Sequence, residues 1–428
     1  MVLGRGFTAD VRARPALRVG FAAACLFACA AGAQGTGGVN APTQRGKPYV
    51  VLISFDGFKP EYLKRMNLPN FGRVMQRGVR SAGMIPVFPS KTFPSHYSIV
   101  TGMYPETHGI VGNRFWDAAR NATYSMSDTH AVLDGSWYRG EPIWATAEKQ
   151  GMVAASFFWV GSEATIANAR PSIYKLYDGR VSIARRADSV LAWLALPAEK
   201  RPHMITLYFS DTDGAGHDHG PLAPEVDEAA QRVDAVLGRL LDGVESLPDV
   251  KDRTYFVLVS DHGMSETSPR WYVGIDTLIA MDSVRLGEAG ALANLYVTDA
   301  ATRAHIMADS INRRMQHGRA YLRADLPAHL HYSKDPRVGD VVVVMEEHWQ
   351  IGMANRPARA GGNHGWDPTF ESMHAIFVAS GPGIPAGKVI PTFENVDVYP
   401  WIAELLGLKP ARGIDGKPGR LAGLIKSR

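Results

Sequence analysis

Short, almost wholly apolar runs alternate with longer amphipathic stretches along most of this 428-residue chain. The runs at 49–54, 204–209 and 254–260 are apolar at nearly every position, which is typical of strands covered on both faces. The stretches at 181–196 and 224–247 have the apolar periodicity of helices that pack on one side. This alternation predicts an α/β fold with a mostly parallel central sheet flanked by helices on both faces.

The same patterns place the remaining elements. Further strands are expected at 153–159, 294–297, 341–345 and 374–379, and further helices at 61–77, 142–150, 301–315 and 397–406. The region 318–360 has weaker periodicity and several prolines, so we expect an insertion or cap on the main sheet there.

The first 33 residues are interpreted as a secretory signal peptide, because arginines precede an apolar, alanine-rich stretch and Ala31-Gly32-Ala33 forms a cleavage site. Two alternatives remain: an uncleaved membrane anchor, and lipid attachment at Cys29. Residues 34–47 are expected to be a polar linker. The chain is therefore expected to be a bacterial exported protein, periplasmic or secreted, with no transmembrane segment after cleavage.

The composition limits which side chains could bind a metal ion and whether the chain could bind nucleic acid. Both cysteines, Cys25 and Cys29, lie in the leader, so a mature chain offers only His and carboxylate side chains as strong metal ligands. The net charge is +4 and there is no dense Lys/Arg block, which argues against sequence-specific nucleic-acid binding.

Carboxylates and imidazoles follow three of the apolar runs, and one more imidazole lies in a glycine-rich turn. The set is Asp56, Asp213, His217, Asp261, His262 and His364. The carboxyl ends of parallel strands meet at one edge of a sheet, so we expect these side chains to lie close together. A lone Asp is usually a turn former and a lone His usually structural. Six of them at such positions favour two divalent ions, roughly 3.5–4 Å apart.

Thr92, in the segment Lys91-Thr92-Phe93-Pro94, is the candidate nucleophile. A hydroxyl is a weak nucleophile at neutral pH, and contact with a metal ion would help it to ionise. The alternative is that the segment is only a turn into a helix, with Thr92 as N-cap and Pro94 in the first turn. Both interpretations can hold together, because a helix N-terminus also favours an anionic phosphate.

Long, ordered motifs make the chain resemble the nucleotide pyrophosphatase/phosphodiesterases of the alkaline phosphatase superfamily. The matching segments are 53–58, 91–105, 108–113, 158–163, 174–177, 363–367 and 393–399, together with the two Asp/His stretches. The resemblance runs from about residue 49 to the C-terminus. It implies an alkaline-phosphatase-like fold and one catalytic domain over 48–428.

The resemblance also implies ligand sets for two Zn²⁺ ions. One ion would be held by Asp213, His217 and His364, and the other by Asp56, Asp261 and His262, with Thr92 at the open position of the second. The family motif usually has an acid and a proline where this chain has Ser210 and Thr212, which affects substrate preference rather than metal binding. His96 and His108 are interpreted as structural, and His219 as lying outside the ligand set.

For the substrate, the resemblance implies that Asn113 donates to a phosphate oxygen and that Phe93 and Tyr177 sandwich a nucleobase, with Tyr208 also lining the pocket. The expected activity is cleavage of nucleotide phosphodiester and phosphoanhydride bonds to release nucleoside 5′-monophosphate through a covalent threonine intermediate. The alternatives are a phosphomonoesterase, a phosphonate hydrolase or a phospholipid-headgroup phosphodiesterase of the same superfamily. A non-catalytic surface binding module is a remote alternative.

Overall fold

The computed structural model describes residues 38–417, 419 and 421–424. The expected signal peptide, with Cys25 and Cys29, lies outside these residues. The described part of the chain contains no helix long and apolar enough to cross a membrane. In the segment expected to be a linker, Asn40 is fully buried and its side-chain amide donates to the carbonyl oxygen of Arg201 at 2.7 Å, so this residue packs against the domain.

The secondary structure alternates as the sequence predicts. The strands are β1 Tyr49–Phe55, β2 Gly78–Ser81, β3 Met84–Ile85, β4 Arg114–Asp117, β5 Ala122–Ser125, β6 Ala154–Phe157, β7 Ile173–Lys175, β8 Met204–Phe209, β9 Thr254–Val259, β10 Ser265–Thr267, β11 Tyr272–Gly274, β12 Val284–Leu286, β13 Leu292–Val297, β14 Gly318–Leu322, β15 Val341–Met345, β16 Gln350–Gly352, β17 Gly361–Asn363, β18 Phe377–Ser380, β19 Lys388–Ile390 and β20 Phe393–Glu394. The helices are α1 Tyr62–Arg65, α2 Pro69–Arg77, α3 Thr92–Thr101, α4 Pro105–His108, α5 Thr129–Leu133, α6 Ile143–Lys149, α7 Ile183–Leu194, α8 Asp211–His219, α9 Pro224–Glu245, α10 Ile275–Leu278, α11 Ala300–Arg314 and α12 Val398–Leu406.

An eight-stranded sheet in the order β19-β2-β18-β9-β1-β8-β6-β7 forms the centre of the molecule. The strand β1 pairs in parallel with both β8 and β9, and β6 pairs in parallel with β8 and β7. Only β18 runs against its neighbours β9 and β2. The expected mostly parallel sheet is confirmed.

Both faces of this sheet are covered. Along β1, Val50 and Leu52 belong to one apolar core, which includes side chains of α3, α6 and α12. Val51 and Ile53 belong to a second core, which includes side chains of α2, α7 and α9. Because successive side chains of a strand point to opposite faces, this division accounts for the unbroken apolar runs in the sequence.

A smaller antiparallel sheet in the order β12-β13-β15-β14 lies beside the main one and packs against α11 around its own apolar core. The region 318–360, where a cap was expected, supplies β14 and β15 of this sheet. It also supplies β16, which pairs with β11 outside the sheet. The sheet also uses β12 and β13, so it begins earlier in the chain than the change in periodicity indicates.

Two local differences from the sequence prediction have simple causes. The helix expected over 61–77 is interrupted, because Pro69 stands at the start of α2 and cannot continue the hydrogen bonding of α1. The segment after 204–209, where the sequence predicts no helix, forms the nine-residue helix α8. Gly214 and Gly216 lower its helix propensity and conceal it in the sequence.

Candidate active site

The carboxyl ends of β1, β8 and β9 bring three carboxylates to one edge of the main sheet. Asp56 directly follows β1, and Asp261 comes two residues after β9. The helix α8, which carries Asp213, starts two residues after the end of β8. Phe55 is paired with Phe209 in the sheet, so these strands end at the same level. This is the edge at which open α/β sheets usually bind ligands.

The helix α8 presents two polar side chains on one face. Asp213 and His217 are four residues apart, and Nε2 of His217 lies 3.4 Å from Oδ1 of Asp213. Gly57, which has a φ of +67°, faces this helix, and a Cβ there would come within 3.0 Å of the Asp213 Cα. Glycine therefore lets the end of β1 approach α8 closely.

Asp56, Asp261 and His262 form one compact group whose nitrogen and oxygen atoms could hold a metal ion. Nε2 of His262 lies 2.9 Å from Oδ2 of Asp261 and 3.4 Å from Oδ1 of Asp56. All three side chains are almost completely buried. This is one of the two ligand sets expected from the sequence.

A second group combines Asp213 and His364 with His262, which is thus shared between the two groups. The resemblance assigned His217 to this set instead. Nε2 of His217 lies 3.2 Å from Nε2 of His364, so the structure brings His217 to the same place. The rings of His262 and His364 stack with centroids 3.5 Å apart. The six expected side chains therefore meet in one cluster, while their role as ligands stays a prediction.

All three histidines of this cluster turn the same ring nitrogen toward the backbone. Their Nδ1 atoms lie 2.8–2.9 Å from carbonyl oxygens, of Gly362 for His217, of Gly263 for His262 and of Ser90 for His364. A carbonyl only accepts, so each neutral ring carries its proton on Nδ1 and an electron pair on Nε2. This arrangement is typical of histidines that bind a metal through Nε2.

The carboxylates fit a cation as well. Among the described residues, Oδ1 of Asp56, Oδ1 of Asp213 and Oδ2 of Asp261 are buried without a hydrogen-bond donor. Burying an unpaired carboxylate oxygen costs several kcal/mol or more, and a bound cation would offset that cost. A set of carboxylate oxygens and imidazole nitrogens without thiolates suits divalent zinc. The residues present therefore fit two metal ions.

Burial and mutual repulsion perturb the ionisation of this cluster. Burial raises the pKa of Asp56 well above its usual range, and the charges of Asp261 and Asp213 add to the effect. Burial also raises the pKa of Asp213. At Asp261 the burial effect is outweighed by the positive charges of His262 and His96, and the pKa is lowered. Three carboxylates so close together need positive charge to remain ionised.

Thr92 is the first residue of α3, and its Oγ1 lies 3.4 Å from Nε2 of His262. Lys91, rather than Thr92, takes the N-cap position, so the expected N-cap role is wrong. The hydroxyl is thus beside the cluster and at the positive end of a ten-residue helix. Asn113 accepts a hydrogen bond from the backbone N–H of Phe93 through Oδ1 at 2.9 Å, which directs the amide NH₂ away from Phe93.

A cavity of about 230 Å³ opens next to Thr92. Its lining is mostly apolar and aromatic: Thr92, Phe93, Met126, Thr129, Val132, Phe158, Trp159, Val160, Gly161, Glu163, Leu176, Tyr177 and Tyr208. The phenol of Tyr208 donates to Oδ2 of Asp56 at 2.6 Å, and burial together with the Asp56 charge raises its pKa, so it remains a donor. The cavity and the Asp/His cluster therefore share a wall.

Sequence reasoning missed the polar side chains that surround Thr92. His96, expected to be only structural, has Nδ1 2.9 Å from the Thr92 carbonyl oxygen and 3.3 Å from Oδ2 of Asp261. Lys91 is 6% exposed, and Glu288 approaches it from the smaller sheet with 8% exposure. The position of Lys91 next to Thr92 could have indicated that it lies near the site, whereas nothing in the sequence around Glu288 indicates this.

Comparison with known proteins agrees with this geometry. A family model described as type I phosphodiesterase / nucleotide pyrophosphatase matches residues 50–367. Human ectonucleotide pyrophosphatase/phosphodiesterase family member 1 is 38% identical over 392 residues, which cover 89% of this chain and 42% of the human protein. The venom phosphodiesterase CdcPDE of Crotalus durissus collilineatus is 35% identical over 403 residues, covering 92% of this chain and 48% of that protein. The chain thus spans less than half the length of these relatives.

Solved structures show the same fold. Murine ectonucleotide pyrophosphatase/phosphodiesterase 5 superposes with a TM-score of 0.84 at 27% identity, covering 88% of this chain and all of the murine one. An inactive threonine-to-alanine variant of that murine protein, in complex with AMP, gives the same TM-score at 26% identity and covers 89% of this chain and all of the murine one. The alkaline-phosphatase-like architecture expected from the sequence is confirmed, and the chain belongs to the type I phosphodiesterase/nucleotide pyrophosphatase family.

Proposed function

We propose that this protein hydrolyses phosphodiester and phosphoanhydride bonds of nucleotides and their derivatives, and releases nucleoside 5′-monophosphates. The observation that carries the proposal is the position of Thr92. Its hydroxyl lies 3.4 Å from Nε2 of His262 and also lines the aromatic cavity. A phosphate held at Thr92 would therefore have its charge next to the Asp/His cluster and its nucleoside in the cavity.

We infer that the cluster holds two Zn²⁺ ions, one on Asp213, His217 and His364 and one on Asp56, Asp261 and His262. The unpaired carboxylate oxygens and the inward-facing Nε2 atoms support this assignment. When bound, the ions would neutralise charge on the phosphoryl oxygens and lower the pKa of a nearby hydroxyl.

The reaction then proceeds in two displacements at phosphorus. In the first, Oγ1 of Thr92 loses its proton to solvent and forms a bond to phosphorus while the bond to the leaving oxygen breaks in line. The leaving oxygen departs with the electron pair and takes up a proton from solvent. In the second, water loses one proton to solvent as its oxygen forms the new bond to phosphorus, and Oγ1 of Thr92 leaves with its electron pair and takes up a proton. Through both steps, the amide NH₂ of Asn113 donates to a non-bridging oxygen.

The cavity supports a nucleotide rather than a small phosphate ester. Phe93 and Tyr177 offer aromatic faces, and stacking of a base contributes about 1–3 kcal/mol without demanding one particular base. An inactive threonine-to-alanine variant of the murine relative was solved in complex with AMP. That structure is consistent with the proposal of a nucleotide substrate and of a threonine nucleophile.

A substrate panel on metal-replete protein tests the proposal. It compares the p-nitrophenyl ester of thymidine 5′-monophosphate, a dinucleotide, ATP, p-nitrophenyl phosphate, glycerophosphocholine and a phosphonate, with Thr92→Ala as the matched control. We expect kcat/KM to be highest for the nucleotidyl substrates and turnover to be lost in Thr92→Ala, with folding and metal content retained.

The other results each have a definite meaning. Faster hydrolysis of the monoester, the phosphonate or glycerophosphocholine would replace the proposal with one of the superfamily alternatives. Turnover by Thr92→Ala near the wild-type rate would remove the covalent threonine step. Absence of turnover on every substrate would favour the binding-module interpretation.

A further inference from the structure

Glu288 brings a carboxylate from the smaller sheet into the immediate surroundings of Asn113. It lies in the connection between β12 and β13 and is 8% exposed. Its Oε2 accepts a hydrogen bond at 3.1 Å from the backbone N–H of Arg114, the residue that directly follows Asn113. Hydrogen bonds of this charged kind are about twice as strong as neutral ones and offset the cost of burial.

The two segments are fitted closely to each other. A Cβ on Gly112 would lie 2.6 Å from Oε2 of Glu288, so the close approach depends on glycine at this position. On the other side, the guanidinium of Arg114 donates to the carbonyl oxygens of Leu286 and Gly287 at 3.1 and 3.2 Å. The backbone around Asn113 is therefore held to the smaller sheet by both the N–H and the side chain of Arg114.

Asn113 is consequently fixed at two of its own polar groups and at the N–H of the next residue. Its carbonyl oxygen accepts from the N–H of Met126 at 2.8 Å, its Oδ1 accepts from the N–H of Phe93 at 2.9 Å, and the N–H of Arg114 donates to Glu288 at 3.1 Å. These contacts leave the amide NH₂ as the donor end of the side chain, in a defined direction relative to Thr92. A donor fixed in advance stabilises developing charge without reorganising during the reaction.

Glu288 also balances a buried positive charge. Lys91 directly precedes Thr92 and is 6% exposed, and its charge and that of Glu288 stabilise each other. The aliphatic part of Lys91 lies against Gly365, where a Cβ would come within 2.5 Å of the Lys91 Cε. Loss of the Glu288 charge would leave Lys91 in a poorly solvated place beside the nucleophile.

We propose that Glu288 is a positioning residue for the reaction: from the smaller sheet, it holds the backbone of Asn113 so that the Asn113 amide meets the phosphoryl oxygen in the transition state. The inference rests on the proposed function and names a residue through which the smaller sheet contributes to it. Because Glu288 acts through Asn113 and does not line the base cavity, its removal affects kcat rather than KM.

The test is a double-mutant cycle between Glu288→Ala and Asn113→Ala, measured on the p-nitrophenyl ester of thymidine 5′-monophosphate. We expect Glu288→Ala to lower kcat roughly 10- to 100-fold, less than direct loss of a transition-state donor, and to leave KM within about 3-fold. In the Asn113→Ala background, the same change should lower kcat by less than about 3-fold, because the group it positions is already absent. Asp309→Asn, an exposed carboxylate on α11, serves as the control.

A conservative variant separates positioning from folding. Glu288→Gln keeps an acceptor oxygen for the N–H of Arg114 and removes the charge, so it should retain more kcat than Glu288→Ala. Should the alanine variant not fold, the glutamine variant carries the cycle. An unchanged kcat in Glu288→Ala would overturn the inference. So would a double variant whose loss of kcat equals the product of the two single losses. Failure of the proposed function looks different, since the wild-type chain itself would then give no turnover and the inference would fall with it.

Discussion

The Nε2 atoms of His217 and His364 lie 3.2 Å apart, although each ring directs its Nδ1 to a backbone carbonyl oxygen. With the protons on Nδ1, two nitrogen electron pairs face each other. Oδ1 of Asp213 adds a negative charge 3.4 Å from one nitrogen and 3.8 Å from the other. A cation bound by all three atoms would convert this repulsion into attraction.

Replacing His217 by Ala should therefore lower the metal content from two ions per chain to one, because the group on Asp56, Asp261 and His262 remains intact. The measurement is elemental analysis after gel filtration in metal-free buffer. His219→Ala is the matched control, because His219 is on the same helix, exposed, and outside both inferred ligand sets. Equal metal content in wild type and His217→Ala would contradict the assignment.

Removal of metal should also destabilise the fold. Without cations, the buried oxygens of Asp56, Asp213 and Asp261 repel one another, and this repulsion adds to burial in raising the pKa values of Asp56 and Asp213. A ligand present at 1,000 times its Kd stabilises the native state by about 4 kcal/mol. We expect chelator treatment to lower Tm and abolish turnover, and added zinc to restore both. An unchanged Tm in metal-free protein, verified by elemental analysis, would count against a buried metal pair.

Tyr177 should affect substrate binding selectively. Its ring is 56% exposed and lines the cavity, so truncation costs stacking energy without disturbing a core. We expect Tyr177→Ala to raise KM for the thymidine 5′-monophosphate ester roughly 10-fold and to leave the kinetics of bis-p-nitrophenyl phosphate within about 3-fold. Ile306→Ala, which removes an exposed apolar side chain on α11, should change neither. Equal effects on both substrates would mean that Tyr177 does not distinguish a base.

The sequence predicts the main sheet and the candidate ligand cluster well for the same physical reason. Asp56 and Asp261 follow apolar runs that are typical of buried parallel strands, so their meeting at one edge follows from the topology of the sheet. The helical placement of Asp213 could not be predicted, because Gly214 and Gly216 oppose a helix that the surrounding structure stabilises.

Glu288 shows a different limit of prediction from the sequence. It is about 175 residues from Asn113 in the chain, and its contacts depend on how the smaller sheet sits against the main one. Nothing in the local sequence around Glu288 encodes that packing. The candidate ligands Asp56 and Asp261 are marked by their position after strands, whereas a residue such as Glu288 is found only when the tertiary contacts are known.

Two buried histidines outside the Asp/His cluster should make the protein acid-sensitive. Burial lowers the pKa of His203 to about 4, and burial with the charge of Arg139 lowers the pKa of His108 to about 3. Unfolding returns each ring to a pKa of about 6.5. The unfolded chain therefore binds more protons than the native state below that value, and stability falls as the pH drops from about 6.5 toward the folded-state pKa values.

His203 offers a clean variant because its Nδ1 lies 2.8 Å from the carbonyl oxygen of Pro48, a hydrogen bond that the side-chain amide of Asn can reproduce. The wild-type ring should cost about 2 kcal/mol of stability between pH 7 and pH 5. Urea unfolding at both pH values measures the free energy of unfolding. Between pH 7 and pH 5, this free energy should fall by about 2 kcal/mol less in His203→Asn than in wild type. In His305→Asn, which changes an exposed residue on α11, it should fall as much as in wild type. An identical pH dependence in all three proteins would show that His203 is not held neutral by burial in the native state.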